Sequence, residues 1–149
     1  SAALVRELLP DISRRVPHGP RIGMGASLGA LAMLHAHRRH PKAFDGLLLQ
    51  SGSFFRQRSD KQESGFPRYR RITRFVGTVL RGEGEVRPVP VAITCGTAEE
   101  NLANNEAVAE ALDAQGHTVW LGRVRDSHTW TCWRDALDPH LATLIAAVV

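Results

Sequence analysis

A single α/β domain, with a parallel, doubly wound sheet of about four strands and flanking helices, is predicted by three observations on this chain of 149 residues. First, short apolar runs alternate with longer segments of helical period. Strands that alternate with helices build a parallel sheet covered on both faces. Second, the composition, 43% apolar and 23% charged, suits one domain with a substantial core and argues against disorder. Third, the two cysteines, Cys95 and Cys132, cannot form a disulfide framework, so packing has to hold the fold.

The elements follow in order. Residues 2–15 read as a helix with Leu4, Val5, Leu8 and Ile12 on one side, weakened by Pro10. Pro17 to Pro20 reads as a turn, and Arg21 to Ala26 as a short buried strand. Leu28 to His40 has helical period, with Leu28, Leu31, Ala32, Leu34 and His35 on one broad face and Pro41 beyond the end. Phe44 to Gln50 is an apolar strand bounded by Ser51, Gly52 and Ser53. A long polar loop covers 54–68, and Tyr69 to Leu80 has the pattern of a helix. Val89 to Cys95 is the third strand. Asn101 to Gln115 is a helix with Leu102, Val108, Ala109 and Leu112 inward, stopped by Gly116. Thr118 to Val124 is the fourth strand. Trp130 to Leu137 and Pro139 to Val148 close the chain as helices.

Charge is concentrated. Seventeen of the 19 basic residues are arginine, and residues 56–74 hold seven basic residues against two acidic ones. That segment carries +5, so the rest of the chain sums to −1 of the formal +4. Such a patch suits an anionic ligand or nucleic acid. Nucleic acid is the weaker choice, because few aromatics (Phe66, Tyr69, Phe75) interleave with the arginines. No apolar run approaches the ~20 residues that cross a bilayer, and the N-terminus lacks a signal-peptide pattern. A cytoplasmic location without membrane attachment is the expectation.

Ligands of parallel sheets sit beyond the carboxyl ends of the strands. After the first strand comes Gly25-Ala26-Ser27-Leu28-Gly29, a G-x-S-x-G between strand and helix. In that context the serine stands on a sharp, strained turn, with side chains at both glycines expected to collide with neighbouring backbone. The Leu28 N–H then points to where an oxyanion would form. After the third strand come Glu99 and Glu100, either of which could orient an imidazole. After the fourth comes His128, placed to act as a general base. The order serine, acid, histidine is that of the α/β hydrolases. His35, His37 and His40 share one helix without a further ligand set, so a metal site is not expected there. Cys95 and Cys132 are expected to pack, and Trp120, Trp130 and Trp133 to line the core or a pocket wall.

On these residues the chain resembles the esterase branch of the α/β hydrolases, and most nearly the enterochelin (ferric-siderophore) esterases. The segments that carry the resemblance are GMGASLGALAMLHAHRRHPKAFDGLLLQSGSFF, CGTAEENLANNEAVAEALDAQGHTV and HTWTCWRDAL, spanning roughly residues 20–140. The resemblance implies Ser27 as nucleophile, His128 as base and, from its offset after Gly96, Glu99 rather than Glu100 as the acid. It implies an ester of siderophore type, anionic as its iron complex. Arg56 and Arg58, with Trp130, are then the expected substrate contacts. Two departures stand out: Ser127-His128-Thr129 replaces the usual Gly-His-Asp, and only one helix precedes the nucleophile strand. The chain therefore looks like the C-terminal half of such an enzyme, with N-terminal strands and the second oxyanion donor missing. An open edge beside the nucleophile strand would favour a homodimer or pairing with an N-terminal half.

The function expected is hydrolysis of a carboxylic ester through Ser27, Glu99 and His128, chemistry that needs no metal or organic cofactor. The alternatives are a non-catalytic remnant or interaction module with an incomplete oxyanion hole, and an acyltransferase of the same fold.

Overall fold

The computed structural model describes residues 3–16 and 19–149. Part of the turn expected at Pro17 to Pro20, and the first residue of the expected 2–15 helix, lie outside the described residues. The N-terminal helix is wound as a π-helix over Leu4–Leu8 and as α1 over Leu9–Arg15, with Pro10 tolerated in the first turn of α1.

Four parallel strands, β1 (Ile22–Ala26), β2 (Gly46–Gln50), β3 (Val91–Gly96) and β4 (Val119–Val124), lie side by side in chain order. Connecting them are α2 (Leu28–Arg39), α3 (Tyr69–Leu80) and α4 (Leu102–Ala114); α5 (Trp130–Asp135) and α6 (Leu137–Val148) follow β4. Right-handed crossovers that always step in one direction put their helices on one face of the sheet. Leu47, Leu49, Val91 and Ile93 accordingly pack with Leu34, Val76, Val79, Val108 and Leu112 of α2–α4. The alternate residues Leu48 and Ala92 point to the other face, where Leu144 of α6 covers them. Residues of β2 and β3 are therefore buried on both sides, which is why they read as unbroken apolar runs.

Among the described residues β1 pairs with β2 alone. Met24, in register with Leu48, is 50% exposed, since α6 packs over β2 and β3 and leaves that part of β1 uncovered. No helix among the described residues is long and apolar enough to cross a membrane.

Two details differ from the sequence reading. The buried side of α2 is Ala30, Leu31, Leu34, Ala36 and His37, whereas Leu28 and Ala32 are exposed. Leu28, Ala32 and His35 instead border a groove against α3, so the apolar stripe on α2 is split between core and groove. A Cβ on Gly29 would meet nothing within 4 Å, whereas one on Gly25 would lie 2.4 Å from the Gly29 carbonyl carbon. Only the first glycine of the motif is required by contact, because there the helix backbone approaches the strand.

At the far end of the sheet, two buried histidines meet edge to face with ring centroids 5.9 Å apart. His37 Nε2–H donates to the Arg87 carbonyl at 2.9 Å, and His117 Nδ1 pairs with the Val89 backbone at 3.1 Å. His37 Nδ1 and His117 Nε2 have no partner among the described residues. Burial first, then the nearby Arg87 and Arg38 charges, hold the His37 pKa below the ordinary 6.5, with the hydrogen bond to the Arg87 carbonyl and the Asp45 charge opposing. Burial, with His37 and Arg38, does the same at His117. An unfolded chain takes up these protons near pH 6.5, and the folded chain only at lower pH. Stability is thus complete above that value and is lost as the pH falls through the folded-state values. Thermal melts are expected to show a falling Tm between about pH 7 and 5. The double substitution His37→Gln with His117→Gln should flatten that slope, and an unchanged slope would reject the assignment.

Candidate active site

The turn from β1 to α2 is too short for ordinary geometry. Ser27 takes φ 56° and ψ −121°, a left-handed backbone that a non-glycine residue adopts only when its surroundings impose it. They do so from the side of β2: the Ser27 N–H donates to the Gln50 carbonyl at 2.8 Å, and the Ser53 N–H donates to the Ser27 carbonyl at 3.2 Å. The side chain is thereby raised at the carboxyl end of the sheet. Leu28 opens α2, so its N–H has no acceptor within the helix.

Ser27 Oγ lies 3.0 Å from His128 Nε2, and His128 Nδ1 lies 2.6 Å from Glu99 Oε2. These three side chains come from the turns after β1, β3 and β4. The other Glu99 oxygen, Oε1, accepts from Ser51 Oγ–H at 2.6 Å and from the Gly96 N–H at 2.8 Å. The Glu99 side chain is only 2% exposed, while that of His128 is 43% exposed, so the carboxylate is sealed and the imidazole faces the cleft. Glu100 is exposed and makes no hydrogen bond to His128 among the described residues. Ser51 is itself held: Trp133 Nε1–H donates to its Oγ at 3.0 Å, and its backbone has φ 47°. The Trp133 ring also meets His128 edge-on, 4.9 Å between centroids. Asn105 clamps Gly52 from both sides, accepting from its N–H at 2.8 Å and donating to its carbonyl at 3.0 Å.

A cleft of about 650 Å³ opens over Ser27, lined also by Leu28, Ser53, Phe55, Phe66, Asn101 and His128. Leu28 and Phe66 are shared with the α2–α3 groove of about 450 Å³, whose walls include Leu31, Ile72, Phe75, Arg68 and Arg71. Arg56 and Arg58 are exposed and are absent from both linings. Trp130 is 81% exposed; it leans on Trp133, 5.0 Å between centroids, and belongs to neither core nor cleft wall. Cys95 and Cys132 are buried free thiols. Burial and the Glu99 charge push the Cys95 thiol up to about 12, so it stays protonated and is no nucleophile at neutral pH. No group of three or more side chains suited to a metal is present among the described residues.

Ser51, Ser53, Asn101 and Asn105 were not among the site residues expected from the sequence, and Trp133 was expected only in the core or a pocket wall. The two serines read only as turn residues, and the asparagines only as helix positions. Nothing in their spacing reveals that they meet the strand-end turns from elsewhere in the fold.

Over 151 aligned residues the chain is 30% identical to the iron(III) enterobactin esterase of Dickeya dadantii (strain 3937), covering 91% of this chain and 32% of that protein. The enterobactin esterase of Shigella flexneri, solved in the presence of 2,3-dihydroxy-N-benzoyl-glycine, matches with TM-score 0.74 and 25% identity, over 95% of this chain and 37% of that one. The chain fits a segment of the enterobactin-esterase family of α/β hydrolases. It spans about one third of the length of the curated enterobactin esterases it matches. A ferulic acid esterase shares the fold with TM-score 0.75 at 18% identity, over 98% of this chain and 60% of that one. No family model matches the chain.

Proposed function

We propose that this chain carries the catalytic residues of a serine carboxylic-ester hydrolase, with Ser27 as nucleophile, His128 as general base and Glu99 as the carboxylate that orients it. The observation that carries the reading is the unbroken hydrogen-bond line from Ser27 Oγ through His128 to Glu99. A carboxylate only accepts, so His128 Nδ1 carries the proton and Nε2 is free to take one from Ser27. As Ser27 Oγ bonds to the ester carbon, its proton passes to Nε2 and the carbonyl electron pair moves onto oxygen. The Leu28 N–H and the N-terminus of α2 favour that oxyanion. The imidazolium, stabilised by Glu99, returns the proton to the departing alcohol. Water, activated by the same nitrogen, then releases the acid and restores Ser27.

The substrate proposed is an ester of siderophore type, as the names of the relatives suggest. The groove beyond Leu28 and Phe66, apolar but carrying Arg68 and Arg71, suits an aromatic acyl group with anionic substituents.

Treatment with an aryl fluorophosphonate followed by peptide mapping tests the reading. A single adduct on Ser27 is expected. An adduct elsewhere would move the nucleophile off Ser27, and none would support a non-catalytic interaction module instead.

A further inference from the structure

We propose that Ser53 is a second catalytic hydroxyl, donating to Ser27 Oγ as that oxygen becomes charged; this rests on the hydrolase reading above. The direction of the bond follows from the geometry. Among the described residues Ser27 Oγ has two hydrogen-bond partners, His128 Nε2 at 3.0 Å and Ser53 Oγ at 3.1 Å. His128 Nδ1 must carry its proton, because it faces the Glu99 carboxylate, so Nε2 of the neutral ring is an acceptor. The single Ser27 proton is therefore committed to Nε2. The bond between the two serines can then only run from Ser53 O–H to Ser27 Oγ. That bond is the one hydrogen bond made by the Ser53 hydroxyl among the described residues, and Ser53 is 6% exposed while lining the cleft.

The hydroxyl is also held in place before substrate arrives. Its residue is tied to the elbow by the Ser53 N–H to Ser27 carbonyl bond. The preceding Gly52 is gripped by Asn105, and Asn101 Nδ2 donates to the Ser51 carbonyl at 3.1 Å. A donor fixed in this way requires no reorganisation during reaction.

In the resting protein Ser53 donates to a neutral hydroxyl oxygen. While the Ser27 O–H bond breaks toward Nε2 and the O–C bond forms, that oxygen carries partial negative charge and the bond from Ser53 strengthens. No proton leaves Ser53. When the acyl-enzyme is hydrolysed, Ser27 Oγ is the leaving oxygen and regains charge as its bond to carbon breaks, and Ser53 serves it again until His128 returns the proton. Ser53 thus acts on both half-reactions at the serine oxygen, whereas the Leu28 N–H acts at the carbonyl oxygen.

The test is the rate of phosphonylation of Ser27 by an aryl fluorophosphonate, together with the burst and steady-state rates on a neutral aryl ester. Ser53→Ala should slow both phosphonylation and kcat by about tenfold or more with KM little changed, the loss of one hydrogen bond that strengthens in the transition state. Ser53→Thr, which keeps the donor, should restore most of the rate. Ser53→Cys keeps the shape with a weaker donor and should also be slow, giving the same information if the alanine variant does not fold. Phosphonylation of Ser27 at the unaltered rate in Ser53→Ala or Ser53→Cys would overturn the proposal while leaving the hydrolase reading intact. An unaltered protein that takes no adduct on Ser27 would overturn both, and an adduct on Ser53 would reverse the assigned roles.

Discussion

Ser27→Ala is expected to bring ester hydrolysis to background, a loss of about 10⁴-fold or more, because no other hydroxyl or thiol among the described residues is hydrogen-bonded to a histidine base. Cys95 is buried and protonated, Cys132 is buried, and the Ser53 hydroxyl has no base of its own among the described residues. The fold should survive. Alanine accepts the same backbone angles as serine, and among the described residues the lost hydroxyl bonds only to His128 and Ser53. Hydrolysis of a p-nitrophenyl ester, with circular-dichroism melts of both proteins, reads both halves of this expectation. Activity that persists in a folded variant would rule out Ser27 as nucleophile.

Glu99→Gln should cost about 10⁴-fold in kcat, while Glu100→Gln leaves turnover of a neutral ester within about twofold. Glu99 Oε1 receives two donors, Ser51 Oγ–H and the Gly96 N–H, and Oε2 receives the His128 Nδ1–H. Glutamine has one acceptor oxygen. If that oxygen serves Ser51 and Gly96, its NH₂ faces Nδ1, which must then give up its proton. The tautomer flips, Nε2 carries hydrogen toward Ser27, and the base is lost. If the amide turns the other way, two buried donors face an NH₂ and go unpaired, at about 1–3 kcal/mol each. Glu100 is exposed and free of these constraints. Parallel kinetics of the two variants check the difference, and equal losses would refute the role given to Glu99.

Much of the architecture was legible in the residues themselves. The unbroken apolar runs at Leu47–Leu49 and Val91–Ile93 mark strands buried on both faces, and the residues that bound them are turn formers. G-x-S-x-G between strand and helix is a local pattern, since the strain at Ser27 and the closeness of Gly25 to the Gly29 backbone arise within a few residues. Sequence alone left Glu99 and Glu100 as equal choices, and only the resemblance preferred the first. Their difference is tertiary: Ser51 from the end of β2 and His128 from the end of β4 both converge on Glu99, while Glu100 stays exposed at the cleft rim without a hydrogen bond to either among the described residues. The contacts around the elbow are equally long-range, with Ser53 26 residues from Ser27 and Trp133 82 residues from Ser51. Arg56 and Arg58, like Trp130 at the start of α5, are absent from the linings of the cleft and the groove, because a side chain's chemistry is written in the sequence but its direction is set by what its segment packs against. Periodicity and turn chemistry act between near neighbours, so the chain by itself determined its strands, its helices and the strained serine. Which hydroxyl, carboxylate and ring surround that serine was decided only when four parallel strands brought their ends to one edge.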